Sequence, residues 1–275
     1  MDSKNAFSEF DFDGTEHFPD IYELSIISGG CHLYGYLLTP DKRYKAPYPT
    51  VIMSHGFPGY TTNNDLELAL MRMGCVVIHM NHRGAWGSEG NYMFTNLKSD
   101  LIAIAKWAHN DAIAGQYNID VDNIFLVGHS MGGMTVLNAA KELPFIRGVA
   151  DMAAYDIEGA FRFGLEKDLF LMIETEGQCL KMNSAADVYE NALNNYQELG
   201  VCNNYEELVK RNVLLVEAKY DEIAPPDKML QPLAQKLEKE SEHFEYKVIN
   251  GNHSFVGQRM KLTKIIGEWM EKHVV

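Results

Sequence analysis

Gly128-His129-Ser130-Met131-Gly132-Gly133 decides how this chain is read, because of what stands on either side of it. Asn123-Ile-Phe-Leu-Val127 is a short apolar, partly β-branched run and predicts a buried strand. Met134-Thr-Val-Leu-Asn-Ala-Ala-Lys141 predicts a helix. Ser130 therefore falls where a strand turns abruptly into a helix. Such a turn is crowded, and a side chain at 128 or 132 would collide with the neighbouring strand or helix. The strain thrusts the serine hydroxyl out over the sheet edge, and the helix start behind it offers free N–H groups to an anion.

Working outward, the pattern alternates. Ile21–Ile27 and His32–Leu38 flank Ser28-Gly29-Gly30 and predict a β-hairpin. Strands follow at 48–54 and 75–80, separated by a helix over 64–73 that stops at Gly74. A long helix is expected over 96–114, ended by Gly115, and a weaker strand over 147–152. Residues 155–209 break the rhythm: helical patterns, few strand signals and eleven acidic side chains. The alternation resumes with a strand at 212–218, a helix at 226–242 with proline in its first turn, a strand at 244–249 and a helix at 256–273. The reading is an α/β fold, a mostly parallel sheet with helices on both faces and antiparallel strands at one edge. Its expected organisation is an N-terminal extension (1–20), a core made of 21–154 and 210–275, and a helical lid insertion (155–209).

Composition narrows the function. The chain has 275 residues, 46% hydrophobic and 23% charged, with a formal net charge of −14. An acidic surface repels nucleic-acid phosphates and anionic membranes, so neither is an expected partner. Cys31, Cys75, Cys179 and Cys202 show no Cys-x-x-Cys spacing, which argues against a zinc or redox motif. The N-terminus lacks a basic region followed by an apolar one, and no apolar stretch approaches membrane-spanning length. A cytoplasmic setting is the default expectation.

A serine hydroxyl is a poor nucleophile. It needs a base to take its proton, and the base needs a carboxylate to fix its tautomer. Both are sought at the carboxyl ends of later strands, in the order Ser, acid, His. The strand at 212–218 runs into Lys219-Tyr-Asp-Glu-Ile-Ala-Pro-Pro226, which offers Asp221, with Glu222 and Asp227 as competitors and a plain turn-capping aspartate as the bland alternative. The last strand runs into Asn250-Gly-Asn-His-Ser-Phe255, which offers His253 among ten histidines. His129 adjoins the nucleophile but is expected to point elsewhere. A tetrahedral intermediate also needs donors for its oxyanion. One is the backbone N–H of Met131; the other is sought in His55-Gly-Phe-Pro-Gly-Tyr60, where Pro58 cannot donate and Phe57 is the choice.

These motifs resemble those of the α/β-hydrolase superfamily from about residue 20 to the C-terminus. His-Gly-Phe-Pro-Gly at 55–59 is similar to its oxyanion loop, and Gly-His-Ser-Met-Gly-Gly at 128–133 to its nucleophile turn. Asp221 with Pro225-Pro226 and Gly251-Asn-His253 resemble its acid and histidine loops. The resemblance implies an eight-stranded sheet with 155–209 as a lid between the sixth and seventh strands. Within the superfamily the chain resembles small feruloyl or cinnamoyl esterases, and also prolyl-oligopeptidase-like and serine-aminopeptidase-like catalytic domains. Those relatives commonly carry Arg-Gly-x-Gly-x-Ser after the fourth strand; here it reads Arg83-Gly-Ala-Trp-Gly-Ser88, with Trp86 where a glycine is often found.

The leading expectation is a serine hydrolase acting on a small carboxylic ester through an acyl-enzyme, with no metal or organic cofactor. Amide or peptide cleavage uses the same triad. A ligand-binding protein that reuses the fold without chemistry is the third reading. Trp86, Phe161, Phe163 and Phe170 are candidate pocket-lining residues, although aromatics at helical spacing also build an insertion's own core.

Overall fold

A computed structural model describes residues 1–12, 18–60 and 63–275. Their strands form one eight-stranded sheet. β1 (Asp20–Ser28) and β2 (Cys31–Thr39) make the expected hairpin, and β2 pairs antiparallel with β4 (Val76–Met80). β3 (Tyr48–Ser54), β5 (Ile119–His129), β6 (Ile146–Met152), β7 (Asn212–Ala218) and β8 (Phe244–Ile249) complete it, giving the order β1-β2-β4-β3-β5-β6-β7-β8. Every pairing from β4 to β8 is parallel.

Strand side chains alternate between two cores. Ile52, Ile124 and Leu126 face one layer, which holds α2 (Phe94–Ala108), α4 (Met131–Ala139) and α9 (Gln231–Glu240). Val51, Phe125 and Val127 face the other, covered by α1 (Asn64–Arg72) and α10 (Arg259–His273). Burial on both faces explains why these strands read as continuous apolar runs.

Two helices differ from expectation. The helix expected over 96–114 is two: α2 ends at Ala108, and α3 (Asp111–Tyr117) restarts because Asn110 Oδ1 accepts from the N–H groups of Ala112 and Ile113. Gly115 lies inside α3, which ends instead at Asn118 in the left-handed region (φ 55°). The helix expected from 226 begins at Gln231; Pro225 and Pro226 stiffen the turns before it, so Asp227 is not helical.

Residues 155–209 carry α5 (Ile157–Arg162), α6 (Glu166–Glu176), α7 (Ala185–Leu199) and α8 (Tyr205–Leu208). Polar anchors tie this segment to the core. The Lys181 N–H donates to Gly84 O and the Tyr92 N–H to Lys181 O, and Asn138 Nδ2 donates to Leu199 O at 2.8 Å. At the N-terminus, Asp2 N–H donates to Met73 O and Ala6 is buried, so the first residues pack onto the core.

Candidate active site

Ser130 joins β5 to α4 with φ 57°, ψ −122°, a left-handed conformation that costs a serine on the order of 1–3 kcal/mol. The glycines around it are demanded by space. A Cβ on Gly128 would lie 2.1 Å from Gly132 O, and one on Gly132 would lie 2.0 Å from Ser54 O. Only bare backbone lets α4 start this close to β3 and β5. Met131 is the first residue of α4, so its N–H has no acceptor within the helix.

The acid and histidine loops are brought together by the sheet. Parallel pairing of β7 with β8 continues past both strands: Lys219 N–H donates to Ile249 O and Tyr220 N–H to Gly251 O. Asp221 then takes three donors. Its Oδ1 accepts from the N–H groups of Ile223 (3.0 Å) and Ala224 (2.7 Å), and its Oδ2 lies 2.7 Å from His253 Nδ1. One oxygen of Asp221 thus caps its own turn and the other faces the imidazole. A carboxylate only accepts, so His253 Nδ1 carries the proton and Nε2 presents its lone pair. That Nε2 lies 2.9 Å from Ser130 Oγ. All three residues are buried.

His129 does point elsewhere, as expected, but not idly. Its Nε2–H donates to the backbone carbonyl of His253 at 2.8 Å, and the two rings sit 4.9 Å apart. Burial, then the neighbouring His253, lowers its pKa to about 3, so it stays neutral. Phe255 (φ 55°, fully buried) anchors the same loop from below.

Phe57 and its loop form another wall. The Phe57 ring is buried against Tyr92 and Phe94. His55, behind it, bonds Gly56 O through Nδ1 (2.7 Å) and accepts the His82 N–H on Nε2 (3.2 Å); burial lowers its pKa to about 3. Trp86 adopts φ 47°, in the left-handed region that favours glycine. Its Nε1–H donates to Pro58 O at 2.9 Å and its ring meets Tyr60 edge-on. Arg83 pairs with buried Asp100 at 2.7 Å and fixes this second loop. Sequence reasoning missed the roles of His129, Asp100 and His55. A polar residue beside a motif was the only signal, and their partners are distant in sequence.

Ser130 opens into a cavity of about 140 Å³ whose walls include Phe57, His253, Met172, Glu176 and Ile223. Phe161, Phe163 and Phe170 do not line it. Phe161 packs on Tyr196 and Tyr189, Phe170 on Tyr189, and Phe163 is exposed. Phe161 and Phe170 pack within the segment's own helices, α5, α6 and α7, while Phe163 faces solvent. Trp86 lines a neighbouring cavity of about 250 Å³, which shares Gly59 and Tyr60 with the first.

An α/β-hydrolase sheet with serine, histidine and aspartate in sequence-ordered hydrogen-bond contact defines the class: a serine hydrolase. A model of the prolyl oligopeptidase family matches residues 62–275, and the chain belongs to that family. No curated protein sequence matches it significantly. Among solved structures it is similar to Est1E from Butyrivibrio proteoclasticus with ferulic acid bound (TM-score 0.68, 18% identity, covering 91% of this chain and 98% of that one). The Pyrococcus furiosus esterase Pf2001 gives 0.66 at 16% identity, covering 93% of each chain. A putative dipeptidyl aminopeptidase IV from Bacteroides ovatus gives 0.69 at 14% identity, covering 97% of this chain but 37% of that one. At these identities the likeness is one of fold.

Proposed function

We propose that the protein hydrolyses small carboxylic esters through an acyl-enzyme on Ser130. The observation that carries this reading is the unbroken relay Ser130 Oγ to His253 Nε2 at 2.9 Å and His253 Nδ1 to Asp221 Oδ2 at 2.7 Å. Ser130 attacks the ester carbonyl while His253 takes its proton. Asp221 holds the imidazole in the required tautomer and stabilises its charged form. The N–H groups of Phe57 and Met131 hold the oxyanion. His253 returns the proton to the leaving alcohol, then activates the water that frees the acid. Residues 155–209 act as a cap: Met172 and Glu176 of α6 line the nucleophile's cavity, and Gly177 comes so near the Phe57 ring that a Cβ there would lie 3.0 Å from it.

Ester cleavage is favoured by the named esterases among structures matched along nearly their whole length. Amide or peptide cleavage is the second reading, favoured by the family itself. A panel of p-nitrophenyl esters against aminoacyl-p-nitroanilides separates them, faster turnover of the anilides deciding for the peptidase. A fluorophosphonate probe should label Ser130. Ser130→Ala should abolish labelling and cut turnover by about three orders of magnitude or more. Full esterase activity in that variant would reject the assignment.

A further inference from the structure

The turn that carries Phe57 is held by two side chains. His55 Nε2 accepts the His82 N–H at 3.2 Å, so Nδ1 carries the proton and donates to Gly56 O at 2.7 Å. That carbonyl and the Phe57 N–H belong to one trans peptide unit. The two groups of a trans peptide point in opposite directions, so holding the oxygen turns the Phe57 N–H away from His55. Trp86 holds a second carbonyl of the turn: its Nε1–H donates to Pro58 O at 2.9 Å. Gly59 shows that both donors stand on one face. A Cβ there would lie 2.5 Å from Trp86 Nε1 and 3.1 Å from His55 Nδ1.

Three further observations point the same way. A Cβ on Gly56 would lie 3.0 Å from Ser130 Cβ, so the turn runs directly against the nucleophile. Phe57 is buried, yet its N–H has no acceptor among the described residues. Buried backbone N–H groups without a partner are rare. Finally, one loop supplies both holds. His82 fixes His55, the Ala85 N–H donates to His82 O at 2.9 Å, and Trp86 follows at φ 47°. A non-glycine residue stays in that region only where its contacts impose it, and such strain gathers at functional sites.

We propose that Trp86 is a positioning residue for the oxyanion donor: with His55 it clamps the turn on either side of Phe57 and so holds the Phe57 N–H toward Ser130. The inference rests on the acyl-enzyme reading above and adds a residue to its machinery. As Ser130 Oγ bonds to the ester carbon, the carbonyl oxygen takes up the electron pair and His253 takes the hydroxyl proton. A donor already in place needs no reorganisation at that moment. Without the indole N–H the peptide after Pro58 is free to turn, and the donor drifts with it. The effect falls on the oxyanion, so it is the same for every acyl group.

The test reads kcat and KM for p-nitrophenyl acetate, butyrate and octanoate in Trp86→Phe, and again with Trp86 replaced by benzothienylalanine, in which sulfur takes the place of the indole N–H within the same outline. Both changes should lower kcat about 10-fold for every ester and leave KM within about 2-fold of wild type. An alkyl trifluoromethyl ketone, whose adduct with Ser130 carries the oxyanion, should lose about the same 10-fold in affinity. The pH of half-maximal kcat/KM should not move, since His253 is untouched. Were Trp86 only a wall of its cavity, the loss would vary with acyl length and appear in KM. Wild-type kcat with the sulfur isostere, a loss confined to KM, or unchanged ketone affinity would overturn the clamp; the isostere decides if Trp86→Phe does not fold. If wild type turns over no ester, the esterase reading fails by itself. The clamp is then read from the rate of fluorophosphonate labelling of Ser130: labelling about 10-fold slower in the variants supports it, an equal rate overturns it, and no labelling of wild type overturns both.

Discussion

His129 shows how a residue can serve chemistry without touching it. Its ring nitrogen holds the His253 carbonyl, and so the backbone from which the imidazole is hung. A leucine of similar bulk would leave that buried carbonyl unpaired and let the loop drift. His129→Leu should lower kcat about 10-fold with little change in KM, since geometry suffers and binding does not. His129→Gln keeps an N–H at comparable reach and should recover most of the loss. Equal defects in both variants, or a change confined to KM, would remove the positioning role. Ser130 and Trp86 make a related point: each occupies a left-handed conformation in which the backbone strain persists because surrounding contacts fix it. For Trp86 those contacts include the Nε1–H bond to Pro58 O, which ties its loop to the loop of residues 55–60.

At the scale of elements, the site is where several stiff pieces end. β3, β5, β7 and β8 are parallel, so their carboxyl ends and the loops beyond them fall on one side of the sheet. α4 is seated against β3 by bare backbone at Gly132. Gly132→Ala puts a Cβ 2.0 Å from Ser54 O, and that atom belongs to a buried strand that cannot yield. The variant should lose about 3 kcal/mol or more of stability and most of its activity, read as a drop in the urea midpoint. A wild-type midpoint would mean that α4 can shift bodily. The helices of residues 155–209 obey weaker rules. α7 starts with Ser184 accepting from the Asp187 N–H, a cap legible locally, whereas the face α6 turns to Ser130 depends on packing against α5 and α7.

For the whole molecule, burial of acids sets a pH dependence of stability. Asp151 on β6 is fully buried, its carboxylate oxygens have no hydrogen-bond partner among the described residues, and burial, then Glu217, raises its pKa well above the usual carboxylate range. Glu217 on β7 takes a hydrogen bond from Tyr246, yet burial, with Asp221 and Asp227 nearby, raises it to about 7. A raised acid binds its proton more tightly when folded. Stability from such a group is complete below its unfolded pKa of about 4.5 and is lost as pH rises through about 7. Glu217→Gln keeps the Tyr246 bond and removes the ionisation. It should gain on the order of 2 kcal/mol over wild type at pH 8.5 and almost nothing at pH 4.5, measured by urea unfolding. An equal offset at both pH values would show that ionisation of Glu217 is not the cause.

The order of strands and helices, the strained serine turn and the three residues of the relay were legible in the sequence by itself. Each is a local matter: apolar period, turn-forming glycine, or a polar residue just past a strand end. The break at Asn110 was written locally too, as an Asn-Asp start, but a continuous apolar face masked it. The rest was decided only by tertiary structure. Which oxygen of Asp221 meets His253, what His129 holds, and that Met172, Glu176 and Ile223, not Phe161, Phe163 or Phe170, border Ser130 all depend on contacts between segments far apart in the chain. Side-chain direction at such contacts is set by how helices and loops pack on the sheet, and no spacing along one segment encodes it.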